Sequence, residues 1–347
     1  MLQHDPKMTG AVFDRLRSPD ATDYRFTLIR FDQIKFDRRR RYLIKGLIPR
    51  QGLTVVWGPP KCGKSFWAYD AMMRVALGWE YRGRRVHQCP VVYVACEGIG
   101  GQGARAEAQR LTFLETYEGE PPPFFLVSTN LSLATDHARL IADTKAQIGK
   151  KEPGAVVLDT LNRSIDGSEN DPQDMTAYVR AADTIQAAFK CAVIIIHHCG
   201  VDGSRPRGHT SLTGAADAQL AVKRGIDKTV TVAVEWMKDG PEGDEIHSRL
   251  RVVDVGEDED GDMETSCVVE PADAPPPATT KLTPNQQTML QILFEAGMGG
   301  LSIDEWNDRA RTAGIGKNRS ADLYDFRKAL QARKAVYAFN DRWFVSK

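Results

Sequence analysis

Gly58, Gly63, Lys64 and Ser65 stand in the order G-x-x-x-x-G-K-S, with Pro59, Pro60, Lys61 and Cys62 in the four spacer positions and Phe66 directly after. Loops of this spacing wrap phosphate groups. The two glycines reach backbone angles closed to other residues, so successive N–H groups can turn inward on phosphate oxygens. An apolar run, Leu53 to Trp57, leads into the loop, and apolar positions at helical spacing follow it. A helix that begins at about Lys64 adds its positive end to the anion site. Lys64 then reaches the β- and γ-phosphates, and the Ser65 hydroxyl is placed to hold Mg²⁺. The ligand implied is ATP with Mg²⁺, bound through Gly58 to Phe66.

Hydrolysis needs more than a cradle, and the remaining polar groups are sought at the ends of buried strands. VVYVACEG ends at Glu97, AVVLD at Asp159 and AVIIIHH at His198. In a parallel sheet, ligands gather at the carboxyl ends of the strands. Asp159 is the candidate for the Mg²⁺ water shell, so Ser65 and Asp159 are the metal pair. A carboxylate at Glu97 can take a proton from the attacking water or orient it. His198 can hydrogen-bond the γ-phosphate and pass its loss to the loop that follows. A zinc reading of His197-His198-Cys199 is poor, because strand neighbours point to opposite faces. The Gly-rich loop 200–217 carries Arg205 and Arg207. Arg207 is the first candidate for a cation inserted into a neighbouring subunit's site, worth roughly 10³–10⁵ in rate. Lys223 and Arg224, at another strand end, are the second candidates.

These groups need a scaffold. Near-continuous β-branched runs alternate with helical segments, which predicts an α/β fold whose mostly parallel sheet is covered on both faces. Helices are expected over residues 65–78, 104–117, 136–149 and 172–189, and further strands over 218–223 and 228–236. A hairpin is expected over 249–255 and 265–270. Phe26, Leu28, Ile29 and Phe31 hint at a short strand near the start, and 48–52 reads as a turn. The chain of 347 residues holds 46 basic and 46 acidic side chains, so any nucleic-acid surface must be local. Six scattered cysteines without a C-x-x-C pair point to reduced thiols in the cytosol. No apolar run suits a membrane span.

Residues 271–280, PADAPPPATT, read as a stiff linker. The expected division is an N-terminal segment over 1–41, an ATPase domain over 42–270, a linker over 271–281 and a further domain over 282–347. That last part reads as three helices and a tight hairpin, the plan of a winged helix-turn-helix. Lys317, Arg319, Arg327, Lys328, Arg333 and Lys334 make it locally basic, the footprint expected of DNA contact, with protein docking as the other use of such a domain.

The pieces GPPKCGKS, VVYVACEG, VVLDTLNRS, VIIIHHCG and RGHTSLTGAAD, in that order, resemble the RecA-like ATPases of the RepA-type hexameric replicative helicases of plasmids and phages. The resemblance covers about residues 42–236. It implies a RecA-like P-loop core and a ring of six with ATP between subunits. Loops 162–174 and 200–208 both leave the active-site edge, and in a ring they can face a central channel and hold single-stranded DNA. By position, Lys64 and Ser65 match the phosphate-loop pair, Glu97 the catalytic glutamate, Asp159 the Walker B aspartate and His198 the γ-phosphate sensor. Arg207 falls where that family places its trans arginine. Loop 162–174 departs from a DNA channel in being acidic, with Asp166, Glu169, Asp171 and Asp174. Three functions remain open: a DNA helicase, an ATP-gated DNA-binding protein such as a helicase loader or recombination mediator, and, last, a small-molecule kinase.

Overall fold

The structure is a computed structural model that describes residues 28–35, 41–200, 203–225, 227–274, 282–316, 321–333 and 335–346. Expectations for Phe26, for 36–40, 201–202 and 275–281, and for Lys317, Arg319 and Lys334 lie outside these residues. The chain divides into two compact units, Met1–Ala274 and Pro275–Lys347.

The first unit is built in chain order as follows. Strands β1 (Tyr42–Ile44) and β2 (Ile48–Pro49) form a small antiparallel pair. Strand β3 (Gly52–Gly58) enters the phosphate loop and helix α1 (Lys64–Leu77) leaves it. Next come β4 (Val91–Ala95), α2 (Gln102–Gln109), β5 (Phe124–Ser128), α3 (Leu133–Ile148) and β6 (Ala155–Asp159). A single turn, α4 (Leu161–Ser164), precedes α5 (Pro172–Phe189) and β7 (Ala192–His198). Short α6 (Ser211–Ala215) and strands β8 (Ala218–Arg224), β9 (Val230–Met237), β10 (Glu245–Glu257) and β11 (Met263–Pro271) complete it.

Nine strands share one sheet in the order β11-β10-β9-β8-β3-β7-β6-β4-β5. The strands from β8 to β5 run parallel, and β9, β10 and β11 add an antiparallel flank. This mixed α/β sheet, mostly parallel with the phosphate-loop strand inside it, fits the RecA-like core implied by the sequence. Side chains alternate across each strand, so both faces are apolar. Val56, Tyr93, Val157, Ile194 and Leu220 share one core with Trp67 and Met72 of α1. Leu53, Val55, Val94, Leu158 and Ile195 share the other with Leu140 of α3 and Met175 and Ile185 of α5. Two buried faces hold the strands rigid, and rigid strands fix the positions of the polar groups at their ends.

Three local expectations differ from what is observed. Residues 31–33 form a 3₁₀ turn with exposed side chains rather than a strand. The 48–52 segment is not only a turn, since Ile48 pairs with Ile44. The 104–117 helix starts earlier and loosens into a π-helical turn over Arg110–Leu114.

The second unit has helices α7 (Pro284–Glu295), α8 (Ile303–Thr312) and α9 (Ala321–Ala332). A three-stranded sheet joins β12 (Leu301–Ser302), β14 (Arg342–Val345) and β13 (Val336–Phe339), in that order. Thr283 with Gln286 and Ser302 with Glu305 form reciprocal caps at the starts of α7 and α8. The core gathers Met289, Leu293, Trp306, Leu323, Leu330 and Trp343. Asn340 and Asp341, both at positive φ, close the β13–β14 hairpin.

Candidate nucleotide site

Gly63 sits at φ 105°, a left-handed conformation that turns the chain from loop into α1. Gly58 is required for a different reason: a Cβ there would lie 2.1 Å from the Val222 carbonyl oxygen of β8. The loop is therefore moulded between β3 and β8 and opens at the N-terminus of a 14-residue helix.

Lys64 is buried, and its Nζ donates to the carbonyl oxygens of Gly58 at 2.9 Å and Pro59 at 2.8 Å. The lysine folds back over its own loop. Burial, above all, pushes its amine below the ordinary lysine range. Phosphate oxygens in the loop would supply the anionic partner that carbonyl groups only approximate. His198 is half-buried, with Nδ1 3.5 Å from Lys64 Nζ. Burial first, and then the Lys64 charge, hold this imidazole below the usual histidine range. It is therefore neutral near pH 7, able to donate from one ring nitrogen and accept at the other.

Ser65 Oγ donates to Asp159 Oδ1 at 3.0 Å, and Tyr93 Oη donates to Asp159 Oδ2 at 2.7 Å. Asp159 is 1% exposed, and burial raises its carboxyl despite these two hydrogen bonds. A hydroxyl beside a carboxylate is a hard oxygen pair, the donor chemistry that suits Mg²⁺ bound jointly with phosphates. Glu97 is exposed and accepts from Thr160 Oγ1 at 3.1 Å. Thr160 follows Asp159, so one chain segment carries the candidate metal carboxylate and steadies the candidate base. The strand ends thus bring Lys64, Ser65, Glu97, Asp159 and His198 to one edge of the sheet.

Arg207 lies on the same side, and is not free. Its guanidinium is half-exposed and ion-paired to Glu169, which is 4% exposed. Asn162 Nδ2 donates to the same Glu169 carboxylate at 3.3 Å, and His209 N donates to the Glu169 carbonyl at 2.8 Å. His197 is buried, with its Nε2 2.7 Å from the Arg207 carbonyl oxygen. The loops 162–174 and 203–210 are thereby fastened to each other and to the end of β7. An open cavity of about 1070 Å³ runs between them and the phosphate loop, lined by Pro59, Pro60, Asn170, Cys199, Arg205 and Arg207. The acidic character of 162–174 also has an internal explanation. Glu169 is paired, Asp171 caps α5 and Asp174 accepts from Ser168 N. Lys223 and Arg224 are exposed at the end of β8.

Four contributors escape the motif reading. Tyr93 and Thr160 hold the two carboxylates, Glu169 holds Arg207, and Arg105 lies over the Phe66 ring at 4.5 Å. Tyr93 left a signal, a single hydroxyl in an otherwise apolar buried strand. Arg105 sits on a polar helix among other charges and left none.

A family described as AAA domain matches residues 18–204, more than half of the chain. The chain belongs to this AAA domain family. The match spans the phosphate loop, Glu97, Asp159 and His198, and supports a P-loop ATPase. Such a family implies nucleotide binding, usually with Mg²⁺. Similar solved structures include an ATPase domain that is 15% identical over 62% of this chain and 84% of that one, with a TM-score of 0.43. The RadB recombinase is 19% identical over 58% and 87%, with a TM-score of 0.42. A KaiC-like protein from the archaeon Pyrococcus horikoshii OT3 is 16% identical over 67% and 99%, with a TM-score of 0.45. No curated protein matches the AAA domain chain. Among its described residues, no helix is long and apolar enough to cross a membrane.

Proposed function

We propose that this AAA domain protein is an ATP-driven DNA translocase, a RepA-type hexameric helicase of a plasmid, phage or other mobile element acting in the cytoplasm. The observation that carries the reading is the cluster at the sheet edge: Lys64 and His198 3.5 Å apart, and Ser65 and Asp159 3.0 Å apart. Gly58 to Phe66 cradle the triphosphate, and Lys64 leaves its carbonyl partners for the β- and γ-phosphates. Ser65 and Asp159 would hold Mg²⁺, and the ion would supply positive charge to stabilise the phosphate oxygens. Glu97, steadied by Thr160, orients the attacking water and takes its proton. His198 meets the γ-phosphate, and the loop after it is tied through Arg207 and Glu169 to loop 162–174. That chain of contacts supports a route from phosphate loss to loops that would hold single-stranded DNA in a ring. In such a ring, Arg207 leaves Glu169 for the site of the adjacent subunit.

We read the domains as 1–41, an ATPase domain over 42–270, a linker over 271–281 and a winged helix over 282–347. Three helices and a hairpin support the last, with duplex DNA or a protein as its partner. A helicase loader or recombination mediator is the second reading, favoured by the direct Arg207–Glu169 pairing, which would keep hydrolysis slow in the free chain. Strand displacement on a forked duplex decides between them. Unwinding that disappears with Lys64→Ala supports the motor, whereas ATP-dependent DNA binding without unwinding supports the mediator.

A further inference from the structure

Tyr93 is fully buried on β4, beneath the phosphate loop, where the chemistry assigned to the site gives it no part. Its ring packs in a triangle with Tyr69 and Phe124, with centroids 5.4 and 5.8 Å away and the other two rings 4.8 Å apart. Its hydroxyl lies 2.7 Å from Asp159 Oδ2 and 3.4 Å from the carbonyl oxygen of Ser65. The same carboxylate accepts from Ser65 Oγ at Oδ1. The tyrosine oxygen therefore touches the carboxylate of one metal residue and the backbone of the other. A carboxylate at the end of a strand has a broad torsion about its last bond, and a hydrogen bond to one oxygen removes that freedom. With Oδ2 engaged from below by an immobile ring, Oδ1 stays directed at Ser65.

We propose that Tyr93 is a positioning residue for the divalent cation. It fixes the Asp159 carboxylate and the start of α1 as one preset oxygen pair, so that the protein selects the metal–nucleotide complex over the nucleotide alone. This rests on the ATPase reading and adds to it the origin of its metal affinity. Hydrogen bonds to the outer side of metal-holding carboxylates contribute roughly 10- to 100-fold in metal affinity or activity.

The test uses the full chain with a non-hydrolysable ATP analogue, and Mn²⁺ as a paramagnetic stand-in that favours the same oxygen donors. Tyr93→Phe is expected to weaken Mn²⁺ binding to the nucleotide complex by roughly tenfold, while affinity for the analogue in EDTA changes less than twofold. Tyr69→Phe removes a hydroxyl from the same aromatic cluster and should leave Mn²⁺ affinity unchanged. In an Asp159→Asn background, adding Tyr93→Phe should cost less than threefold more. Equal losses with and without metal, an equal effect of Tyr69→Phe, or full additivity with Asp159→Asn would overturn the proposal. Should Tyr93→Phe not fold, 3-fluorotyrosine at position 93 keeps the ring and hydroxyl. Its fluorine resonance should then shift when Mg²⁺ joins the nucleotide complex, and an unmoved resonance refutes the role. Failure of the unaltered protein to bind the analogue at all is a distinct result that removes the ATPase reading along with this one.

Discussion

Replacing Glu97 with Gln removes the proposed base and keeps its size. General-base catalysis contributes roughly 10²–10⁴ in rate, so single-turnover hydrolysis should fall by about that factor. Binding should not follow. Lys64, Ser65 and Asp159 are untouched, and Glu97 is exposed and makes its one described hydrogen bond to Thr160. A fluorescent ATP analogue should therefore bind Glu97→Gln within twofold of the parent. Thr160→Val isolates the positioning part of the effect. A hydrogen bond to a charged group is worth about 1.5–3 kcal/mol when nothing replaces it. Water reaches the exposed Glu97 carboxylate, so about 1 kcal/mol or less is the reasoned loss, a fall of about threefold to fivefold. Because Thr160 acts through Glu97, the two losses should not add: Glu97→Gln with Thr160→Val should hydrolyse no more slowly than Glu97→Gln alone. Rapid-quench measurement of one enzyme-bound ATP reads the chemical step without product release. If Glu97→Gln keeps more than a tenth of the rate, or Thr160→Val slows hydrolysis as much without the carboxylate as with it, the assignment of the base is wrong.

Arg207→Ala should lower DNA-stimulated hydrolysis by roughly 10³. Mixing it with Lys64→Ala subunits should restore part of the activity, because each supplies what the other lacks, and no restoration would place the arginine in its own site. Asp70, fully buried on α1 beside Arg82 at 3.4 Å and Arg74 at 3.8 Å, is raised by burial to about 6. Its folded pKa exceeds the unfolded one, so the charged form costs stability above pH 6. That cost is relieved as pH falls from about 6 towards 4, by roughly 3 kcal/mol at most. Urea unfolding of the parent and Asp70→Asn should show the parent gaining relative stability over that window, and parallel pH curves would contradict it. Trp306 is fully buried, with its indole donating to the Met289 carbonyl at 2.9 Å. Trp306→Ala should destabilise the second unit by about 3–5 kcal/mol, seen as faster amide exchange over α7 to β14 with ATP binding retained.

What could be read from the sequence was whatever depends on neighbours along the chain. The phosphate loop is contiguous, and its glycine φ values and helix start follow from residue type alone. Buried parallel strands are runs of β-branched residues, so β4, β6 and β7 and the polar residues at or just beyond their ends could be located. Sheet order is another matter. β3 lies between β7 and β8, strands more than a hundred residues further on, and no local pattern encodes that pairing. The weak expectations failed where local and tertiary terms disagree. Leu28, Ile29 and Phe31 have strand-like composition but, among the described residues, no strand pairs with them, and a strand without a partner leaves its hydrogen bonds unmade. Ile48 and Pro49 look like turn residues, yet they pair with β1 because Ile44 and Ile48 bury together.

The same division separates the chemical groups from the groups that control them. The candidates Lys64, Ser65, Glu97, Asp159 and His198 are visible because groups proposed to react must be particular residue types at strand or loop ends. Tyr93, Thr160 and Glu169 work by touching those groups, and each contact is created by folding. Glu169 shows the consequence most clearly. In the sequence it counts as one more acid against a DNA-facing loop, whereas in the structure it is buried against Arg207 and ties that loop to the end of β7. A charge that counts against nucleic acid at the loop surface is thus taken up by an internal ion pair, which in the proposed function would serve the coupling between nucleotide and loop. On the proposed function, the charge that a DNA strand would meet is set by the side chains left outside that pairing, among them the exposed Arg205, Lys223 and Arg224.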